Sequence, residues 1–468
     1  MPRLFCVALV LASGLLLGLA SGASAQTPLD VDPYREAASR IIEAALADSA
    51  AYDRAAYMGD TFGHRFSGSQ SLEDAIDWIL DEMRADGLES VRGQPVMVPA
   101  WIRGQESVLM THPRVEPLAM LGLGGSVGTT AAGVEAEVLV VGSFDELTAR
   151  ASEAEGKIVV YNVPFTSYGR TVAYRTQGAI AAAKVGAVAS LVRSVGPVSL
   201  STPHTGTMSY EDGVPRIPHA AITVEAAAML QRMADRGEAP RLRVTMGATT
   251  APDRLSRNVI GEIRGRESPQ EVVVIGGHID SWDVGQGMHD DGGGCVVAWE
   301  AVRLLHDLGL RPRRTIRVVL WTNEENGLRG ATTYADSVGA SGAANTQLAI
   351  ESDGGVFEPI GFGVTGSSGV FETLKPIEAL LAPVLAQEAS QPIGIVSGGG
   401  GADIGPLMRQ GVPGVGHRTA NERYFWYHHT AADTVDKLDA GHVQRNVAAM
   451  AILAYVAAEM PQRLPQGE

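Results

Sequence analysis

The sequence predicts an α/β protein: a mixed, mostly parallel sheet with helices on both faces, carrying a second, smaller α/β unit as an insert. Three observations lead there. From Arg257 onward, short apolar segments rich in β-branched residues alternate with helical ones, the pattern of a parallel sheet covered on both sides. Between about Glu137 and Gly247 the texture changes to shorter apolar segments separated by Gly- and Pro-containing turns. The chain also has 468 residues, 45% of them hydrophobic, which is enough for more than one core and for folding without cross-links.

The chain opens with Arg3, an apolar run from Leu4 to Leu19, and the small residues Ala23-Ser24-Ala25 before Gln26. This is the layout of a secretory signal peptide, with an apolar core too short for a membrane anchor. Residues 1–25 are therefore expected to be removed and the remainder exported, to a periplasm or to the extracellular medium. Cys6 leaves with that segment, so Cys295, the other of two cysteines, has no internal partner and reads as a small buried residue. The formal net charge is −16. Such acidity argues against nucleic acid or an anionic membrane surface as a partner.

Residues 26–120 read as the first part of the main domain. Within residues 71–86, Leu72, Ala75, Ile76, Ile79, Leu80 and Met83 recur at the spacing of one helical face, and Gly87 follows as a stop. Residues 121–250 are assigned to the insert, with strands at 138–141, 157–161 and 187–192 and an Ala-rich helix at 178–185. Residues 251–468 complete the main domain, with strands at 271–275, 315–321 and 347–350 and helices at 295–308 and 441–460.

The chemistry-bearing residues fall where those strands end, which is where open α/β sheets bind ligands. The first strand runs into Gly276-Gly277-His278-Ile279-Asp280. Residues two apart in an extended chain share a side, so the Asp280 carboxylate is placed to orient His278, as carboxylates do for ligating histidines. Asp290-Asp291-Gly292-Gly293-Gly294 opens the next helix; an acidic start suits the helix dipole in any case, but a carboxylate there could also bridge two cations. Thr322-Asn323-Glu324-Glu325 ends the second strand, and Glu351-Ser352-Asp353 the third. Tyr427-His428-His429-Thr430 adds a late histidine pair. Each motif alone has an ordinary structural explanation. Together their mixture of imidazole and carboxylate suits zinc, whereas calcium or magnesium would prefer oxygen throughout.

These motifs, in this order, resemble the co-catalytic di-zinc exopeptidase family, and in particular its carboxypeptidase Q branch. The resemblance covers nearly all of the chain after the signal peptide, including Phe62-Gly-His-Arg-Phe-Ser-Gly-Ser69, and it marks the insert as similar to a protease-associated domain. It implies the zinc exopeptidase fold and two zinc ions bridged by Asp290, one completed by His278 and Asp353, the other by Glu325 and His429. It implies Glu324 as the catalytic base, Asp280 as the partner of His278, and a cis peptide between Asp290 and Asp291. His429 rather than His428 is the expected ligand because the family pattern continues with Thr and then an aspartate, here Asp433. Three carboxylates and two imidazoles also exceed what one tetrahedral structural zinc uses.

The expected activity is hydrolysis of dipeptides or short peptides with free termini. Glu324 takes a proton from the attacking water and passes it to the leaving amine. An aminopeptidase on longer peptides is the competing reading, and a receptor-like binding protein that has lost the chemistry is the reading from another class. Partners are a peptide substrate and, by resemblance, a second copy in a homodimer. Asp403, within a Gly-rich run, is either a specificity element or an ordinary turn acid. His289 and His417 have no expected ligand role.

Overall fold

The computed structural model describes residues 29–466; the expected signal peptide and Cys6 lie outside the described residues. The chain builds two eight-stranded sheets. In the first, the spatial order is Glu89–Ile102, Thr249–Ile263, Arg314–Trp321, Ser268–His278, Thr346–Glu351, Gly414–Thr419, Pro359–Thr365 and Gly394–Ser397. The four central strands, Arg314–Trp321 to Gly414–Thr419, are mutually parallel, while the strands beside them run antiparallel. The fold is thus mixed α/β, as expected.

Alternation along each central strand sends successive side chains to opposite faces. Val273 and Ile275 pack with Val318, Leu320, Leu348 and Ile350 against the helices Gly293–Asp307 and Ala440–Glu459. Val272, Val274, Val319 and Trp321 pack on the other face against Ala331, Tyr334 and Ala335 of the helix Arg329–Asn345. Cys295 lies in the first of these cores, 1% exposed. The expected helix at 71–86 is Gln70–Ala85, whose six predicted apolar residues are all buried. Ser69 caps it by accepting from the Leu72 amide at 3.2 Å, and Gly87 ends it at φ +77°.

The second sheet has the order Glu116–Leu118, Glu106–His112, Arg241–Met246, Val134–Val141, Ile158–Tyr161, Ala189–Arg193, His219–Ile222 and Met120–Gly122. Its two faces are covered by the helices Tyr168–Lys184 and Val224–Asp235. Strands ahead of residue 121 belong to this sheet, so the expected boundary at 121 falls too late for it: the chain leaves the first sheet at Ile102 and rejoins it at Thr249. Those early strands are short and interrupted by Pro113 and Pro117, which hides their alternation. The helix expected at 178–185 begins ten residues earlier, at Tyr168. Its first half buries the polar side chains Thr171 and Arg175, so it lacks the apolar spacing that marks the second half.

His219, fully buried in this sheet, has Nδ1 2.8 Å from Ser190 Oγ and Nε2 3.3 Å from the Tyr174 carbonyl. Burial pushes its pKa down to about 4. The unfolded chain, with a histidine near 6.5, therefore binds the proton first. The contribution of His219 to stability is unaffected above about pH 6.5, falls as pH drops from there, and levels off below about pH 4, by about 3 kcal/mol at most. Buried His204, His289 and His417 are lowered as well, so urea unfolding across that window is expected to show an acid-side decline that His219→Asn makes shallower. Equally steep declines in wild type and His219→Asn would rule the His219 contribution out.

Candidate metal centre

Parallel pairing sets His278 level with Trp321, and Gly276 level with Glu351. The residues that follow, Glu324, Glu325 and Asp353, therefore emerge at one edge of the sheet with His278. Asp290 reaches the same space from the turn Met288–Gly292 ahead of the helix Gly293–Asp307. His278 Nε2 lies 3.4 Å from Asp290 Oδ1 and 3.6 Å from Asp353 Oδ1. The other oxygen, Asp290 Oδ2, lies 3.2 Å from His429 Nε2, which is 3.0 Å from Glu325 Oε2. Asp290 thus faces two separate groups, one oxygen to each. His428 stacks on His429 with ring centroids 3.5 Å apart, and its Nε2 is 3.7 Å from Asp290 Oδ2.

Three atoms in this space, His278 Nε2, Asp290 Oδ2 and Glu325 Oε1, are buried without a hydrogen-bond partner. Each such group is destabilising by about 1–3 kcal/mol unless something satisfies it. Ligand atoms of His278, Asp290 and Asp353 all fall within 4.8 Å of one another, as do those of Asp290, His428 and His429. An imidazole and carboxylate donor set of this kind fits divalent metal.

The backbone around these side chains is held by other carboxylates. Asp280 does so differently from the expectation: His278 Nδ1 bonds its main-chain carbonyl at 2.9 Å, while its carboxylate is 3.9 Å from that nitrogen. The carboxylate instead accepts from the amides of Glu324 (3.0 Å) and Glu325 (3.3 Å) and from Ser67 Oγ (3.1 Å). It fixes the turn that carries the two glutamates, and these competing donors draw it away from the imidazole. Asp433 accepts from the amides of His289 and Asp290 at 2.8 and 3.1 Å, and Asp291 from that of His278 at 3.1 Å. The Asp290–Asp291 peptide is cis. Gly277 and Gly294 leave room for the Asp291 carboxylate, which a Cβ at either position would meet at 2.1 Å. Arg65, fully buried, donates to the carbonyls of Ile279, Gln286 and Gly287, so the motif near the start of the chain braces the loop between His278 and Asp290.

Charge is unevenly settled across the site. Burial and the carboxylates of Asp353 and Glu325 raise the Glu324 carboxyl well above its usual range, against the pull of His278. Burial, with Asp290 alongside, pushes Glu325 up to about 7 despite His429. Asp290 goes the other way: burial opposes ionisation, but His428, His278 and His429 together hold it well below the ordinary value.

These groups open into a cavity of about 350 Å³ lined by Asp290, Glu324, Glu325, Asp353 and His429, and by residues that sequence reasoning missed, Tyr168, Arg175 and Thr207. The last three come from the second sheet and its connections. Thr205 and His429 exchange two bonds, the Thr205 amide to the His429 carbonyl at 3.0 Å and His429 Nδ1 to the Thr205 carbonyl at 3.2 Å. They hold His429 at φ +61°, a conformation that a non-glycine residue adopts only under such constraint. Thr207 Oγ1 donates to the Glu325 carbonyl at 3.3 Å. No periodicity or motif marks these insert residues.

Asp403, read as a specificity element or a turn acid, is 1% exposed and is not among the residues lining this cavity; burial, Glu351 and Glu324 raise its carboxyl. His289 is a satisfied core side chain, stacked 4.2 Å from Phe357 and bonded to the Val356 amide. His417 is buried on Phe362 beside Ser352 Oγ.

Asp280→Asn keeps the shape of the side chain but presents an amide group to backbone amides that need an acceptor. It is expected to lower divalent-metal affinity about ten- to a hundredfold, measured by competition with a chromophoric chelator. Unchanged affinity together with an unchanged melting temperature would show that the Asp280 carboxylate is dispensable.

The sequence profile of Peptidase family M28 matches residues 258–454, from the strand Thr249–Ile263 into the last helix. Over 440 residues the chain is 46% identical to carboxypeptidase Q of Mus musculus, covering 93% of this chain and 92% of that one. Against carboxypeptidase Q of Homo sapiens it is 48% identical over 420 residues, 90% and 88% of the two chains. The crystal structure of a peptidase M28 precursor from Shewanella amazonensis is similar at a TM-score of 0.88 and 32% identity, covering 94% of this chain and 100% of that one. The chain belongs to peptidase family M28, on its carboxypeptidase Q branch, and is a metallopeptidase.

Proposed function

We propose that this chain is an exported zinc exopeptidase that hydrolyses dipeptides or short peptides with free termini. His278, Asp290 and Asp353 would hold one zinc ion, and Asp290, Glu325 and His429 a second. The observation that carries this reading is the Asp290 carboxylate, whose two oxygens face different imidazoles, His278 at 3.4 Å and His429 at 3.2 Å. Two buried imidazoles and three carboxylates suit zinc over an all-oxygen metal. When bound, the ions supply a Lewis acid for the peptide carbonyl and charge that offsets the developing oxyanion.

The chain's own residues supply the rest. Glu324 lines the cavity beside the ligands and is the proposed base: it takes a proton from the attacking water and delivers it to the leaving amine. Asp280 anchors the amides of both glutamates and so keeps base and ligand aimed differently. Asp290 is oriented through Asp433, and His429 through Thr205. The second sheet is read as a protease-associated domain that walls the cavity and holds His429. Export rests on the signal peptide pattern of residues 1–25; within the described residues, no helix is long and apolar enough to cross a membrane.

Purified protein is expected to carry two zinc equivalents by elemental analysis, to lose dipeptide hydrolysis on chelation, and to regain it with zinc. Glu324→Gln should retain both zinc equivalents and the fold while kcat falls by about 10²–10⁴. Near-wild-type turnover in that variant would remove Glu324 as the base, and a single zinc equivalent in active protein would remove the bridged pair.

A further inference from the structure

Arg103 bridges the two sheets, and the proposed hydrolysis does not use it. It follows the strand Glu89–Ile102, at the point where the chain leaves the first sheet. Its Nε and Nη2 donate to Asp283 Oδ2 at 2.8 Å and Oδ1 at 2.5 Å, a two-bond fork onto the loop between His278 and Asp290. The rest of the guanidinium faces the second sheet. Nη1 donates to the Gly122 carbonyl and, at 3.3 Å, to Glu106 Oε1, while Nη2 also reaches Thr205 Oγ1 at 3.3 Å. Thr205 Oγ1 in turn donates to the same Gly122 carbonyl at 2.8 Å. The side chains of Arg103 and Asp283 are only 11% and 15% exposed, so each charge depends on its partners rather than on water.

Thr205 is the residue that restrains His429, by its amide on the His429 carbonyl and its carbonyl on His429 Nδ1. These two bonds keep His429 at φ +61° and aim its Nε2 at Asp290 and Glu325. A non-glycine residue in that conformation relaxes when its restraints loosen, so whatever fixes Thr205 fixes the direction of Nε2. The loop end of the bridge is secured separately. Arg65 bonds the carbonyls of Ile279, Gln286 and Gly287, and Trp282 is packed into the core of the second sheet with Phe66 and Trp101. Removing Arg103 therefore frees the Thr205 end. His278 is held by other means, its Nδ1 by the Asp280 carbonyl and its amide by Asp291, and neither partner is among the groups that Arg103 bonds.

We propose that Arg103 is a positioning residue that sets the affinity of one metal ion of the pair, that of Glu325 and His429, by locking Thr205 to the loop that carries Asp283. The affinity for the ion of His278 and Asp353 does not depend on it. The assignment rests on the two-ion reading of the cluster and adds to it the group that tunes one half. A planar fork suits this task, because one side chain must meet a carboxylate with two bonds while its remaining donors meet a carbonyl and a hydroxyl in fixed directions. An ammonium group is a point charge and cannot span both sets.

The test titrates zinc into metal-free wild type, Arg103→Gln and Arg103→Lys in competition with a chromophoric chelator, which resolves the two stepwise affinities. Arg103→Gln is expected to keep one affinity at the wild-type value and to lose about ten- to a hundredfold in the other, the range for groups that orient a metal ligand from behind. Arg103→Lys, which keeps the charge opposite Asp283 but lacks the fork, should fall between. A merely structural role would weaken both ions alike, or lower the melting temperature and weaken neither; either result overturns the proposal. If Arg103→Gln fails to fold because Asp283 is left buried without its partner, Arg103→Gln/Asp283→Asn carries the same comparison, with equal weakening of both ions, or of neither, as the overturning result. NMR of nitrogen-labelled histidine rings needs no metal. In the metal-free protein the His429 ring signals are expected to move in Arg103→Gln while those of His278 stay. If wild type binds fewer than two zinc ions, the two-ion reading falls, while a displaced His429 signal still upholds Arg103 as the group that positions it and an unmoved one dismisses it.

Discussion

Four carboxylates, those of Asp290, Glu324, Glu325 and Asp353, surround one small cavity at the end of a buried sheet, and their mutual repulsion is the constraint to which the rest of the site responds. Two unit charges 4 Å apart still repel by about 4 kcal/mol at an effective dielectric near 20. Burial and neighbouring carboxylates raise Glu324 and Glu325, while three imidazoles flank Asp290. His278 Nε2, Asp290 Oδ2 and Glu325 Oε1 are buried and unpartnered. A pair of divalent cations would relieve the repulsion and satisfy those atoms together, so the zinc reading explains the cluster and its missing hydrogen bonds at once.

Such a cluster persists only if the backbone beneath it cannot yield. Three further carboxylates do this work as acceptors: Asp280 under the two glutamates, Asp291 under His278, and Asp433 under Asp290. Glycine at 277 and 294 admits the Asp291 carboxylate against the chain, and Arg65 ties the intervening loop by its carbonyls. These side chains are thus positioned by groups bonded to main chain, whose geometry varies little, rather than by one another. Like charges converge because the strands supporting them are packed on both faces by apolar helices, and that packing, far from the cavity, resists their separation.

The main sheet and the convergence at its edge were legible in the sequence because they are written as local patterns: apolar β-branched runs, then Gly-Gly-His278, Asn-Glu-Glu325 and Glu-Ser-Asp353 where the runs stop. Order along a parallel sheet turns such endings into neighbours. What was not legible depended on partners distant in the chain. His278 and Asp280 share a side of an extended segment, which suggested a carboxylate-to-imidazole bond, yet the amides of residues 324 and 325 compete for that carboxylate from the turn after the neighbouring strand. Arg175 lies in the half of its helix that buries polar groups, so it carries none of the apolar spacing by which a helix is found. Thr205 acts through its main chain, which no side-chain pattern records.

The second sheet is therefore part of the site rather than an appendage. Thr205 holds the Nδ1 of His429 and the backbone of the same residue, and Thr207 reaches the Glu325 carbonyl, so the half of the cluster formed by Glu325 and His429 takes its shape from both sheets. The half formed by His278 and Asp353 rests on strand ends of the first sheet alone. This asymmetry gives the two halves different physical dependence. Any change that shifts the second sheet moves His429, Thr207 and Arg175 together, leaving His278 in place. The Glu325 and His429 half of the cluster therefore depends on contacts with the second sheet, while the strand ends that carry His278 and Asp353 do not.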